Sequence, residues 1–331
     1  MRVTPQGDTI NSFPICNRAD AQFSPSVVFN GENYIVTWTD RRFTGTYFWT
    51  VAARVTPQGA VLDTGNCIGA TDAHNEFYPN TAFDGNRCLT IWHHSYYEPY
   101  GIYGRFVDSS AQPEDTVITV AATSSYLYNF PKVEFGDSNY LVVWADERAG
   151  ETDLDILGQL VSSQGMLVGG KITIATGSEE QRRPDVSFDG TNFLIIWVED
   201  IWIFGQRISP AGQLIGPNFL ISDTTINTRT CPRLCAGSSN YLVAWSEERG
   251  SYCDIYGNID VGTSIYEEVK TSPRYSECYT TIITGPLILP SNRKCKVYDI
   301  SGRTIEPHQI SRGIYFVEID GQITRKVVKL R

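Results

Sequence analysis

Five tryptophans recur along the chain at nearly equal intervals, and each has a proline thirteen positions before it. Successive tryptophans lie 54, 52, 53 and 48 residues apart, and a glycine follows each proline by five or six positions. The proline–tryptophan pairs are Pro25/Trp38, Pro79/Trp92, Pro131/Trp144, Pro184/Trp197 and Pro232/Trp245. A spacing that is kept through five copies predicts five copies of one structural unit of about fifty residues.

Each copy reads as a run of short strands. In the fourth copy, polar and apolar residues alternate through Val186 and Phe188, and a continuous apolar run follows at Phe193–Trp197. Alternation is typical of half-buried strands, whereas a continuous apolar run is typical of a strand covered on both faces. Aromatic residues make up 12% of the chain, and long amphipathic helical stretches are missing. The sequence therefore predicts an all-β chain in which residues 1–262 form a five-bladed β-propeller.

The two ends of the repeat region predict how the propeller closes. The segment Arg2–Gly7 duplicates Arg54–Gly59 residue for residue, and the fifth copy lacks an outer strand after Val261. A strand at residues 8–15 is therefore predicted to complete the fifth blade, a closure favoured by the high effective concentration within one chain. Alternatively, this strand completes the blade of a neighbouring copy, which would generate a filament.

Residues 263–331 depart from the repeat. Their short alternating strands, separated by Asp-Gly and Ser-Gly turns, predict a small C-terminal β-sandwich of the immunoglobulin-like type. Three motifs, Val297–Arg303, Gly313–Val317 and Lys326–Arg331, resemble the C-terminal sorting domain of the type IX secretion system. The resemblance implies export by that secretion machinery to the medium or the outer cell surface of a Gram-negative-type bacterium. The repeats themselves resemble bacterial surface propellers, which implies fold and location but no reaction.

Cysteine usage and charge narrow the classes of partner. The eight cysteines are scattered without the paired spacing of a zinc site, and they favour an oxidising compartment with several disulfides over free buried thiols. The formal charge of −10 argues against nucleic acid, and no apolar run is long enough to insert into a membrane. No cofactor motif and no metal-ligand pattern is present, so neither a cofactor nor a metal is predicted.

Acidic residues after three of the tryptophans are a first candidate site. An acid and an arginine follow the tryptophan by two and four positions in the pairs Asp40/Arg42, Asp146/Arg148 and Glu247/Arg249. A glycosidase would use such carboxylates at one end of a propeller channel. Because each acid brings its own arginine and the pattern repeats, salt-bridged turns are the favoured interpretation.

The second copy is irregular and offers a second candidate site. It reads His93–Tyr100 where other copies carry the acid and arginine. Tyrosine rings stack well on sugars, so an aromatic rim for a surface glycan is predicted, with ordinary loop packing as the simpler alternative. The candidate ligand-binding residues are Tyr96, Tyr97, Glu98, Tyr100, Trp49 and Trp202.

Taken together, these patterns predict an exported, non-enzymatic structural or binding protein, with self-assembly through strand donation as one mode of action. No nucleophile elbow, phosphate-binding loop or metalloprotease motif is present, and no catalytic residue is predicted. A glycan-binding, lectin-like propeller is the first alternative. A glycoside hydrolase is the second, and it requires a carboxylate pair that faces the propeller axis without arginine partners.

Overall fold

The structure is a computed structural model in which the chain divides into two compact units, Met1–Ser264 and Ile265–Arg331. The residues it describes are 2–3, 9–43, 45–69, 75–95, 100–122, 130–147, 153–222, 226–237, 240–249, 252–259, 279–283, 287, 289, 294–299, 303–319 and 322–329. Within these ranges, no helix is both long and apolar enough to cross a membrane.

The first unit is built from antiparallel sheets that follow one another along the chain. Two short strands come first, β1 (Arg2–Val3) and β2 (Thr9–Asn11). Sheet 1 contains β3 (Gln22–Phe29), β4 (Tyr34–Asp40), β5 (Trp49–Val55) and β6 (Asn66–Cys67). Sheet 2 contains β7 (Asn75–Phe83), β8 (Cys88–Ser95), β9 (Gly101–Val107) and β10 (Pro113–Ala122). Sheet 3 contains β11 (Lys132–Gly136), β12 (Asn139–Glu147), β13 (Leu154–Ser162) and β14 (Leu167–Ala175).

Sheet 4 repeats the same order of strands. It contains β15 (Gln181–Phe188), β16 (Phe193–Glu199), β17 (Trp202–Ile208) and β18 (Leu214–Leu220). Sheet 5 has three strands among the described residues: β19 (Arg229–Ala236), β20 (Tyr241–Arg249) and β21 (Tyr252–Ile259). Every copy of the sequence repeat thus corresponds to one sheet, which confirms the all-β prediction and the strand content of each copy.

The second strands of sheets 1 to 4 are largely buried on both faces, as the continuous apolar runs predict, whereas Leu242 on β20 of sheet 5 is 50% exposed. Trp92, Trp144 and Trp197 are at most 1% exposed, and their strands pack between neighbouring sheets. Sheets 1 and 2 also share a chain of buried hydroxyls, in which Thr81 Oγ1 lies 3.1 Å from Thr37 Oγ1 and 3.0 Å from Thr90 Oγ1. Successive sheets are therefore held by apolar packing and by a few buried hydrogen bonds.

The first strands of successive sheets contact one another, β3 with β7, β7 with β11, β11 with β15 and β15 with β19. The register of four of these strands shifts by a bulge at the repeated proline. A proline donates no ladder hydrogen bond, so it is tolerated at a bulge on an edge strand. The repeated prolines therefore mark the inner edge of every sheet.

The chain start differs from its prediction. The strand predicted at residues 8–15 spans Thr9–Asn11 and pairs with β1, and within the described residues β21 has no fourth strand beside it. The short separation of the two segments explains the difference, because a local hairpin closes a much smaller loop than a pairing with β21.

The second unit forms one five-stranded sheet from its described residues. Its strands are β22 (Tyr279–Ile283), β23 (Cys295–Asp299), β24 (Thr304–Ile305), β25 (Gly313–Ile319) and β26 (Gln322–Lys329), in the order β22-β26-β25-β23-β24. A 3-10 helix at Pro307–Gln309 precedes β25. Val297, Val317 and Val327 form the core of this sheet. A sandwich needs a second sheet, which the described residues do not supply, so the sandwich stays a prediction.

The cysteines also differ from their prediction. The seven within the described residues are free thiols, whereas the sequence favours disulfides. Cys88 is buried in an apolar cluster, and Cys231 and Cys235 stand four positions apart on the one strand β19. Four residues of a strand span about 13 Å, which is well beyond the separation that a disulfide can bridge.

Candidate active site

A cavity of about 430 Å³ is lined by residues at or beside the repeated prolines of the five first strands. All five sheets, or the residues directly before their first strands, contribute to its wall. The repeat therefore converges on one concave place, as a ligand site requires.

The residue before each repeated proline has a left-handed backbone. The five φ angles lie between 45° and 55°, a region that residues with a Cβ rarely adopt and that proline further disfavours in the residue before it. We call these the pre-proline residues: Ser24, Tyr78, Phe130, Arg183 and Cys231. Strain of this kind persists only where the surrounding structure enforces it, and it clusters at functional sites.

The prolines are constant, whereas the pre-proline residues differ from sheet to sheet. Tyr78 and Phe130 pack their rings with centroids 4.5 Å apart, and the Arg183 guanidinium lies 5.0 Å from the centroid of Phe130. Both rings and Arg183 line the cavity. In a repeated scaffold, a constant residue maintains the fold and a variable one gives each sheet its own chemistry. The cavity wall consequently combines an aromatic surface with a cation.

The residues that follow each proline form a second ring. These post-proline residues are Ser26, Asn80, Lys132, Asp185 and Arg233. Two of them accept a backbone hydrogen bond from the next sheet: Asn80 Oδ1 from Val133 N at 2.8 Å, and Asp185 Oδ2 from Leu234 N at 2.9 Å. Asp185 therefore occupies the position that an amide, Asn80, occupies in sheet 2, and it is an ionisable group at that position.

Glu134 lies two residues beyond Lys132 on β11 and completes the charged cluster. Burial, and the nearby charge of Asp185, raise the pKa of Glu134 to about 7. Burial also raises the pKa of Asp185, although Lys132, the Leu234 N–H and Arg233 oppose that effect. Burial lowers the pKa of Lys132, and the charge of Asp185 partly restores it. A carboxyl group with a pKa near neutrality is suited to proton transfer.

Neither carboxylate of this Glu134/Asp185 pair is neutralised by direct contact. Within the part of the chain that the structure describes, no ammonium or guanidinium nitrogen lies within 4.0 Å of either group. The absence of arginine partners is one of the two conditions set above for a hydrolase. Sequence reasoning missed both residues, although Glu134 follows a repeated proline by three positions and Asp185 follows one by a single position.

Two of the acids that follow the tryptophans, Asp40 and Glu247, form structural salt bridges, as the sequence favours, whereas burial raises the pKa of the third, Asp146, to about 6. Trp38 Nε1 donates to Asp40 at 2.7 Å, and Arg42 forms a salt bridge with the same carboxylate. Glu247 accepts from Trp245 Nε1 at 3.0 Å and pairs with buried Arg229 at 3.1 Å, a partner that the sequence pattern does not predict. Arg148 of the third pair lies outside the described residues.

The predicted aromatic rim is only partly supported by its placement. Tyr96, Tyr97 and Glu98 lie outside the described residues, while Tyr100 and Trp202 are half-buried. The prediction for Trp49 as a rim residue is wrong, because this side chain is 8% exposed and packs in the core beside Trp38 and Val51. Ligand contact at the other five positions stays a prediction.

The two histidines of the second copy are also unsuited to chemistry. His93 is fully buried, and burial together with the neighbouring His94 lowers its pKa to about 3. A histidine with that pKa remains neutral at physiological pH and cannot reach a ligand. His94 packs its ring against Tyr103 with centroids 5.3 Å apart. Both residues therefore belong to the interior of sheet 2.

Comparison with known proteins finds structures of similar fold but no relative in sequence. No family model and no curated protein matches the sequence. A protein of unknown function from Dyadobacter fermentans is similar over 72% of this chain and 78% of its own, with 10% identity and a TM-score of 0.52. An exo-1,5-alpha-L-arabinanase from a bovine ruminal metagenomic library is similar over 71% and 92%, with 9% identity and a TM-score of 0.45.

The arabinanase of Bacillus subtilis is similar over 54% of this chain and 68% of its own, with 16% identity and a TM-score of 0.39. The likeness to the Dyadobacter protein, with a TM-score above 0.5, is one of fold alone. The similar structures of stated activity include several glycoside hydrolases, the class named above as the second alternative. The main prediction, a non-enzymatic structural protein that assembles by strand donation, is wrong.

Proposed function

We propose that the first unit is a glycoside hydrolase and that its active site is the channel below the central cavity. In this proposal the five sheets are five blades of a propeller around one axis. The proposal is supported by the first strands, since each sheet contributes a residue to the same cavity wall. It is also supported by the contacts between the first strands of successive sheets.

The observation that carries the proposal is the Glu134/Asp185 pair. Hydrolysis of a glycosidic bond needs one carboxylic acid that protonates the leaving oxygen and one carboxylate that faces the positive charge developing on the sugar. Glu134, with a pKa raised to about 7 by burial and by Asp185, still holds its proton at mildly acidic and neutral pH. Asp185 supplies the second carboxylate, and Leu234 N fixes one of its oxygens.

The aromatic residues above the pair suit a sugar substrate. Tyr78 and Phe130 present adjoining rings at the cavity, and flat apolar rings bind the C–H faces of sugars while leaving the hydroxyls free for hydrogen bonds. The cavity of about 430 Å³ has room for one or two sugar rings. A chain that rests on this surface would place a glycosidic bond over the channel.

The test is release of reducing ends from purified polysaccharides, including arabinan, β-1,3-galactan and pectic glycans. We expect the wild-type protein to cleave at least one of them. Glu134→Gln and Asp185→Asn should each lower kcat by about 10²- to 10⁴-fold, because each removes a group needed in the transition state. The rate should also fall as pH rises through about 7, where Glu134 loses its proton.

The matched control is Glu32→Gln, which changes an exposed glutamate at the turn between β3 and β4 and should leave the rate unchanged. Folding of each variant is checked by its far-ultraviolet circular dichroism. If the wild-type protein cleaves no glycan, or if Glu134→Gln retains full activity, the proposal fails.

A further inference from the structure

The wall of the central cavity is strongly cationic. Lys132, Arg183 and Arg233 belong to three successive sheets, and all three line the cavity. Among the described residues that line it there is no aspartate or glutamate. The chain as a whole carries a formal charge of −10. The cavity wall therefore carries three positive groups although the protein as a whole is negatively charged. This local positive charge attracts an anionic ligand.

Arg183 is held in place without an anion beside it. Its guanidinium lies over the ring of Phe130 at 5.0 Å, and Nη1 donates to Cys231 Sγ at 3.2 Å. No carboxylate lies within 4.0 Å of it among the described residues. A guanidinium that is oriented by a ring and a thiol keeps most of its donors free. A planar donor fork of this kind is suited to a carboxylate, which it binds through two parallel hydrogen bonds.

The other two cations lie on the adjoining walls. Arg233 is exposed and donates through Nη1 to Pro232 O at 2.9 Å, which leaves its remaining donors for a ligand. Lys132 is half-buried; burial and Arg233 lower its pKa, while the charge of Asp185 raises it. A bound anion would favour the charged form of Lys132 further and would be shared with both arginines. The three cations therefore favour a ligand that carries a negative group.

We propose that the substrate is a glycan of uronic acid residues, whose carboxylates bind Arg183 and Arg233 while a sugar ring rests on Tyr78 and Phe130. This inference rests on the proposed hydrolase for the identity of the ligand as a sugar. The chemistry that distinguishes it is the carboxylate, since a neutral arabinan or galactan would leave all three cations unpaired. Burial of unpaired charge costs binding free energy, so neutral glycans should bind weakly.

The experiment measures binding to Glu134→Gln, so that turnover does not interfere. Isothermal titration calorimetry compares tri-galacturonate with its methyl ester, which has the same sugars without the charge, and with a sulfated trisaccharide. We expect the free acid to bind at least 10-fold more tightly than the ester and the sulfated sugar, and its affinity should fall as salt rises.

Arg183→Gln and Arg233→Gln, each combined with Glu134→Gln, should lose that preference. Arg54→Gln in the same background is the matched control, because Arg54 pairs with Asp63 on sheet 1. Circular dichroism checks the folding of each variant. Equal binding of acid and ester, or a preference for the neutral or sulfated sugar, overturns the inference.

The two proposals fail in different ways. If the wild-type protein binds tri-galacturonate in the expected manner but cleaves no glycan, the hydrolase fails and the uronate site stands. If it cleaves a neutral glycan and shows no preference for the acid, the hydrolase stands and the uronate inference fails.

Discussion

The charge at Glu134 should make the stability of the first unit depend on pH in a way that Glu134→Gln removes. In the folded protein, burial and Asp185 raise the pKa of Glu134 from 4.5 to about 7. Below pH 4.5 the carboxyl is neutral in the folded and the unfolded chain, so the variant should resemble the wild type. Between pH 4.5 and about 7 the unfolded chain ionises while Glu134 in the folded protein keeps its proton, so the wild type loses stability relative to the variant over this range.

The size of this effect follows from the two pKa values. Each pKa unit corresponds to ~1.4 kcal/mol of differential stability, so the rise from 4.5 to about 7 sets an upper bound of about 3 kcal/mol. Glu134 is half-buried, and solvent that reaches it screens part of the cost. We expect Glu134→Gln to be about 2 kcal/mol more stable than the wild type at pH 8. In the proposed hydrolase, a catalytic acid kept at this pKa would therefore lower the stability of the fold.

The assay is urea denaturation of both proteins at several values between pH 4.5 and pH 8.5, followed by tryptophan fluorescence. The quantity of interest is the difference between their free energies of unfolding at each pH. We expect this difference to grow through the range and to level off above pH 7. If the difference is constant with pH, or if the variant becomes the less stable of the two at high pH, the assignment of Glu134 as a buried, neutral acid is refuted.

Two further substitutions test how the sheets are held. Arg229→Met should lower the free energy of unfolding by about 3–5 kcal/mol in urea denaturation. Arg229 and Glu247 are both almost fully buried, and the glutamate would lose its cation. A loss below about 1 kcal/mol would contradict a structural role for this pair. Thr81→Val should cost about 1–3 kcal/mol in the same measurement, since the hydroxyls of Thr37 and Thr90 would both lose their partner; an unchanged midpoint would show that the hydroxyl chain contributes nothing.

The sequence predicts the strands of this protein well because the pattern of apolar runs and turn residues occurs in five copies. The apolar run at Phe193–Trp197 became β16, and glycines at the predicted turns between first and second strands have positive φ, as at Gly31 and Gly190. In the third sheet, the residue with a positive φ angle at this turn is Asp137 rather than Gly136. Local patterns of this kind depend on residues close in sequence, and so they can be read without the fold.

The candidate site could not be predicted in the same way. Glu134 and Asp185 are fifty-one positions apart, and only the packing of β11 beside β15 brings their charges together. The partner of Glu247 was likewise missed, since Arg229 lies on the first strand and the pattern Glu247/Arg249 lies on the second. The irregular sequence of the second copy led to the prediction of an aromatic rim there. The cavity lies instead at the regularly repeated prolines.

The left-handed backbone before each proline has a consequence for how this protein can change. Five side chains as unlike as Ser24, Tyr78, Phe130, Arg183 and Cys231 occupy that conformation. The backbone before the repeated proline therefore keeps the same conformation with small, aromatic, basic and thiol side chains. The four that line the cavity, Ser24, Tyr78, Phe130 and Arg183, can be substituted with no insertion of loops and no rebuilding of a sheet. Because Phe130 contacts both Tyr78 and Arg183, a change at one of these three positions alters the surroundings of the others.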